Sequence, residues 1–360
     1  MQLAGFIQKL YCHRIPFVSY RLPHAMKPVT LAGGFFSNEQ RYATSDCFVV
    51  APFQACDTEP IRFYLPFFAI EGWEANVDFD AIYEYSEVQD VADEAPYIIR
   101  FETYKHQFNS LMHHLKAGKL KKVVLSRMEY VSMQKEADPG LLFERLCRKY
   151  PSAFAYVFYD NQGQLWLGAS PETLLETDAY GQGKTMSLAA TQVMHAQEPD
   201  KWHWSAKEKE EQQYVTDFIH EVLQQSGVSN IQFGETYTKT AGRLGHLCTP
   251  FSFSLPENLN PINLASKLHP TPAVCGLPVP LATSLILETE KHRRSLYTGF
   301  LGPVKSDGSS HLFVNLRCMR LSGQNAWLYA GGGLTRDSDL QQEWEETQNK
   351  LQTMKAIIQE

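Results

Sequence analysis

Two short acidic segments, Lys207-Glu208-Lys209-Glu210-Glu211 and Glu343-Trp344-Glu345-Glu346-Thr347, each place carboxylates three residues apart. Residues i and i+3 share one face of a helix. Two such helices facing each other would offer Glu208, Glu211, Glu343 and Glu346 to one point. Four converging carboxylates repel unless a divalent cation lies among them. An all-oxygen donor set suits Mg²⁺, which keeps part of its water shell and also binds substrate oxygens. The spacing therefore points to a Mg²⁺ enzyme with an anionic substrate. The competing reading is two solvated helix faces, the ordinary situation of charged residues.

The neighbours of the second pair favour a site. A strand expected over 326–330 runs into Gly331-Gly332-Gly333, and Asp337-Ser338-Asp339 then opens a helix over 339–358. Glycines after a strand let a ligand approach the backbone, whose N–H groups can hold an anion. Lys350 shares the helix face of Glu343 and Glu346. Neither G-x-x-x-x-G-K-[ST] nor G-x-G-x-x-G occurs, so the run is neither a phosphate loop nor a dinucleotide fingerprint. Four single positions carry further options. Lys122 precedes Val123-Val124-Leu125, where desolvation would fit it to be a base; a surface lysine with a buried stem is the alternative. Glu172 stands at a turn after a strand, where burial would make it a proton donor, or it is a cap. His269, between Leu268 and Pro270, sits in a loop stiffened by two prolines. Arg317 closes an expected strand and has the fork that matches a carboxylate; its ordinary role is a surface ion pair.

The elements that must carry these groups are mixed. Strands are expected over 47–53, 61–70, 121–131, 154–159, 164–168, 312–320 and 326–330. Helices are expected over 101–117, closed by Gly118; over 138–150, with Asp138 as N-cap and Pro139 in the first turn; and over 205–225, with a stripe of Tyr214, Val215, Phe218, Ile219 and Val222. Sheets joined mostly by hairpins, with helices laid on them, indicate an α+β or antiparallel α/β layered fold.

Bulk properties narrow the classes. With 44% hydrophobic and 20% charged residues, the 360-residue chain is globular. A net charge of −7 and the lack of a basic stripe argue against a nucleic-acid partner. No run of about 20 apolar residues occurs, so no membrane span is expected. The first ten residues do not read as a signal peptide. Seven dispersed cysteines without a C-x-x-C fit reduced thiols in a cytoplasmic protein rather than a zinc site. No heptad pattern calls for an oligomer, and a monomer is expected.

Taken in order, eight segments resemble the chorismate-utilising enzymes, most of all the isochorismate synthases. They are KVVLSR (122–127), GASPE (168–172), LAATQ (188–192), KEKEEQQYV (207–215), LHPTPAVCGLP (268–278), ETEKHRRSLYTGFLG (288–302), LRC (316–318) and AGGGLTRDSDLQQEWEETQNK (330–350). The resemblance implies one large α/β (α+β) domain of stacked antiparallel sheets flanked by helices. Residues 1–100 would be the variable N-terminal part of that fold and 101–360 the chorismate-binding catalytic region. It implies one Mg²⁺ on Glu211 and Glu346, with Glu208 and Glu343 nearby or reached through water. Arg317, Tyr297, Lys350 and the backbone of Gly331, Gly332 and Gly333 would hold the enolpyruvyl carboxylate. His269 and Thr191 would line the reacting face of the ring, beside Ala190.

The lysine at 122 is the discriminating position. Family members that add ammonia lack it, and those that add water use it as base. The resemblance thus implies that water, deprotonated by Lys122, attacks C2 of chorismate while the C4 hydroxyl leaves with a proton from Glu172. The two need opposite protonation at one pH, and burial acts in both directions. The pathway expected to be supplied is menaquinone synthesis; the alternatives are a salicylate synthase, which shares both residues, supply of siderophore synthesis, and a non-catalytic chorismate-binding homologue. The chain departs from the family pattern at Ala190, where glycine is usual, in the loop Gln192-Val193-Met194-His195, at Glu211-Gln212 (usually Glu-His) and at Arg294-Ser295 (usually Arg-Gly).

Overall fold

In the computed structural model, residues 1–84, 97–193, 202–241 and 244–359 are described. Their strands pair edge to edge in one ribbon, every pair antiparallel. The ribbon runs Gly276–Leu277, Lys122–Ser132, Asn325–Leu334, Cys318–Ser322, Leu165–Ser170, Phe154–Tyr159, Phe17–Arg21, Val29–Ser37 and Arg62–Glu71. It continues through Cys47–Ala51, Phe300–Val304, Ser310–Val314, Thr173–Thr177, Gln182–Val193 and Leu244–Ser254, which takes both Ser229–Phe233 and Tyr237–Ala241 as further neighbours. Strands from before residue 100 thus join the two halves of the ribbon.

The halves stack face to face. Phe154 of the first lies flat on Phe313 of the second, with ring centroids 4.1 Å apart. Val18, Tyr156 and Trp166 meet Phe48, Val50 and Leu301 in the same buried layer. Burying each such side chain contributes roughly 1.5–3 kcal/mol. Outside the first half lie the helices Leu3–Cys12, Pro139–Lys149 and Leu340–Ile358. Ala206–Gln225 and Pro261–Leu268 cover the second half. Phe101–Lys116 and Val279–Thr289 pack on the strand that starts at Lys122.

Most expected elements are present within a residue or two. Two differ instructively. The expected strand over 312–320 is cut at Asn315–Arg317, where the chain leaves the second half-sheet and enters the first. Asn315 holds this corner by accepting from the Tyr156 hydroxyl at 2.6 Å and donating to Leu296 O at 2.8 Å, and Arg317 takes a left-handed φ of 47°. Pro171-Glu172 is a second such corner, between Leu165–Ser170 and Thr173–Thr177. The other difference is the glycine run, expected to follow a strand that ends at residue 330. It lies inside Asn325–Leu334, with Gly331, Gly332 and Gly333 paired to Ser126, Leu125 and Val124.

Candidate functional site

A cleft of about 380 Å³ opens where the two corners come together. Glu172 and Arg317 line it from the corners, Ala190 and Thr191 from one half-sheet, and Gly331 and Gly333 from the other. The two acidic helices close it with Glu208, Glu211, Glu343, Glu346 and Lys350, and Tyr297 completes the wall. Residues far apart in sequence are thus gathered because the chain changes sheets twice at one level.

Strand alternation explains the floor. Lys122 and Val124 point to one face of their strand, and Val123 and Leu125 pack against the flanking helices on the other. Lys122 is 1% exposed and lies just beneath the lining, with Nζ donating to Glu211 Oε1 at 2.7 Å. The glycines explain themselves by what a Cβ would strike. At Gly333 it would lie 2.8 Å from Lys122 Cε and 3.2 Å from Glu211 Oε1; at Gly332, 2.9 Å from Glu343 Oε2. Gly331 and Gly333 therefore face the cleft, and Gly332 faces the last helix.

At Ala190 the strand carries a bulge: Ala189 pairs with Leu247 and Gln192 with Gly245, so two residues oppose His246 alone. Ala190 sits at φ 56°, a left-handed conformation that costs a Cβ-bearing residue on the order of 1 kcal/mol. The bulge turns both Ala190 and Thr191 into the cleft. Of the loop that follows, Met194 and His195 lie outside the described residues.

Each carboxylate has its own surroundings. Glu208 belongs to a capping box: it accepts from Ser205 N at 2.7 Å, while Ser205 Oγ accepts from Glu208 N. Gln192 Nε2 also donates to it, at 2.9 Å. Burial opposes charge on Glu211, but Lys122, and then Lys350 and Lys207, outweigh it and hold the carboxyl below the ordinary value. Glu346 pairs with Lys350 at 2.6 Å, and Lys350 also donates to Gly331 O at 2.8 Å. Glu343 Oε1 accepts from Ser338 Oγ at 2.7 Å, while its Oε2 is buried with no hydrogen-bond partner. Burial, and then the charge of Glu346, push Glu343 up to about 7. Among the described residues no three metal-ligating groups stand close enough to hold an ion as placed. The donor set and the orphaned Glu343 oxygen nevertheless fit a hard cation in type.

On the opposite side, burial pushes the Glu172 carboxyl up to about 8, although Lys239 and Lys122 pull the other way. This acid holds its proton at neutral pH. Burial draws the Arg317 guanidinium down to about 10, which leaves it charged at neutral pH. Two assignments change. His269 does not line the cleft; its Nε2 bonds Phe53 O at 3.0 Å and its ring packs between Phe53 and Phe300. His246, which sequence reasoning passed over, does line it. Its ring contacts Ala190 O at 2.9 Å through Nδ1 and the Arg317 guanidinium at 2.9 Å through Nε2. Burial, and next Arg317, push it down to about 3, so the imidazole is neutral. Its signal was a polar residue between Gly245 and Leu247 in the buried first half of the strand Leu244–Ser254.

Residues 76–359 match the family of chorismate binding enzymes. Isochorismate synthase EntC of Escherichia coli strain K12 is 33% identical over 243 residues, which cover 66% of this chain and 62% of EntC. The alignment thus spans less than two thirds of that relative. The structure of MenF, the menaquinone-specific isochorismate synthase of Escherichia coli, superposes with a TM-score of 0.80 at 19% identity, over 98% of this chain and 91% of MenF. Anthranilate synthase component I of Streptococcus pneumoniae TIGR4 gives 0.68 at 20% identity, over 86% and 80%. These two likenesses establish the fold. No helix among the described residues is long and apolar enough to cross a membrane.

Proposed function

Because the chain belongs to the chorismate-binding enzyme family, we propose that it is an isochorismate synthase that adds water to C2 of chorismate and expels the C4 hydroxyl. The observation that carries this reading is the pairing of a buried lysine, Lys122, with a buried carboxylic acid, Glu172, at one cleft. A cleft built to add ammonia needs no lysine as base.

Glu172 supplies the proton to the departing hydroxyl, and burial keeps that proton in place until it is needed. Lys122 takes the proton of the attacking water. Only its neutral amine can do so, which requires the ammonium proton to pass to solvent and the ion pair with Glu211 to open first. Arg317, oriented by the neutral His246, offers its charge to a substrate carboxylate. Glu211, Glu343 and Glu346 would hold Mg²⁺, which, when bound, supplies positive charge for the ring carboxylate. Lys122 is 1% and Glu172 3% exposed, which limits exchange of their protons with bulk water.

Incubation with chorismate and Mg²⁺, with product separation, tests the assignment. Isochorismate is expected, and Lys122→Met or Glu172→Gln should each cut turnover by roughly 10²–10⁴-fold. Stoichiometric pyruvate with salicylate would replace the reading by a salicylate synthase. Binding of chorismate without turnover would make the chain a non-catalytic homologue, and unchanged turnover in Lys122→Met would remove the base. Supply of menaquinone synthesis is the pathway reading we favour; a deletion strain that loses a siderophore and keeps menaquinone would overturn it.

A further inference from the structure

Behind Glu172 lies a second cavity, of about 580 Å³, with Pro171 lining both it and the reaction cleft. Lys239 reaches the shared wall from the second side. Its Nζ donates to Pro171 O at 3.0 Å and approaches Met186 Sδ at 3.3 Å. The Pro171 carbonyl sits at the corner where the chain changes sheets and the strand ladder is interrupted, so it needs a donor from elsewhere. Lys239 also stands directly across the strand pair from His246, the residue that orients Arg317.

We propose that Lys239 is a positioning residue for the acid Glu172, clamping the Pro171-Glu172 corner so that the carboxyl faces the leaving hydroxyl. This deepens the isochorismate synthase reading and rests on it. A surface lysine would have no reason to bridge three chain segments, residues 171, 186 and 239, at the back of a catalytic acid. Lys122 faces Glu172 from Lys122–Ser132, Lys239 from Tyr237–Ala241 and Cys248 from Leu244–Ser254, while His24, Glu176, Tyr237 and His311 line the second cavity beyond the corner. Of these, Lys239 acts most strongly on the Glu172 charge, ahead of Lys122, and it favours the ionised form.

Lys239→Met keeps the stem and removes the donor and the charge. The expected result is a kcat lower by roughly 10- to 100-fold, because a misplaced acid loses alignment, with KM little changed. The alkaline limb of the kcat profile should move to higher pH, since Glu172 then holds its proton longer. Lys239→Arg should restore both. A melting temperature close to wild type guards against a folding defect, and Lys239→Gln serves if the methionine variant does not fold. Infrared titration of the Glu172 carboxyl, identified by its loss in Glu172→Gln, reads the same effect without substrate. An upward shift of that band in Lys239→Met supports the clamp even if chorismate is not turned over, a result that would sink only the enzymatic reading. Turnover of chorismate together with an unmoved band and an unmoved limb would overturn the role of Lys239.

Discussion

The two acidic helices carry the same spacing and opposite electrostatics. In Ala206–Gln225, Glu208 is spent on the helix's own N-terminus and Glu211 is ionised against Lys122. In Leu340–Ile358, Glu343 is buried with an unpartnered oxygen and shifted towards the protonated form, and Glu346 is neutralised by Lys350. A carboxylate's role follows from the turn of helix it occupies and from what the facing strand brings. Glu208 and Glu343 both stand in a first turn. Only Glu208 has a serine N-cap placed to complete a capping box.

The largest break in this contrast is Glu211→Gln. It leaves the buried Lys122 ammonium without its partner, and the unfolding free energy in urea should fall by about 3–5 kcal/mol. An unchanged urea midpoint would mean that the pair adds nothing.

A smaller effect is pH dependence in the Mg²⁺-free protein. The folded-state pKa values of Glu343 and Glu172 are raised from 4.5 to about 7 and about 8. Their stabilising contribution is therefore complete below pH 4.5 and is lost as pH rises through 7 and 8. Glu211, and Glu290, which pairs with the buried Arg294 at 2.7 Å, are held below the ordinary value and act in the opposite sense, only as pH falls below 4.5. Glu343→Gln should flatten the lower part of the decline and also lose most of the gain on adding Mg²⁺, which in wild type is about 2.7 kcal/mol at a hundred times Kd. A Mg²⁺ response intact in Glu343→Gln would remove Glu343 from the metal set.

Smallest is Glu208→Ala, which should cost about 1 kcal/mol through the lost cap while leaving the Mg²⁺ response in place. If it abolished that response as fully as Glu343→Gln, the distinction between the two first-turn glutamates would fall.

Much of this was legible in the chain. The i, i+3 spacing predicts which carboxylates share a face, and both helices present those faces to one cleft. The hairpin 154–159 with 164–168 and the helices at 101, 139, 206 and 340 follow from local periodicity and caps, which act over a few residues. Even the fate of Glu208 was written in Ser205-Ala206-Lys207-Glu208, a capping-box pattern. His246 and His269 show the limit. Both lie next to apolar residues, yet one faces the cleft and the other is sealed between Phe53 and Phe300.

Residue types and their spacing fix the donor atoms, their helical faces and the glycines that let Lys122 and Glu211 meet. Which groups share the cleft, that the glycine run is strand, and that Glu172 holds its proton while Glu211 does not all follow from the packing of distant segments. The two differ in range. Spacing and caps act within a turn or two of chain, whereas burial and charge depend on the two corners, at 171–172 and 315–317, that bring distant strands to one level.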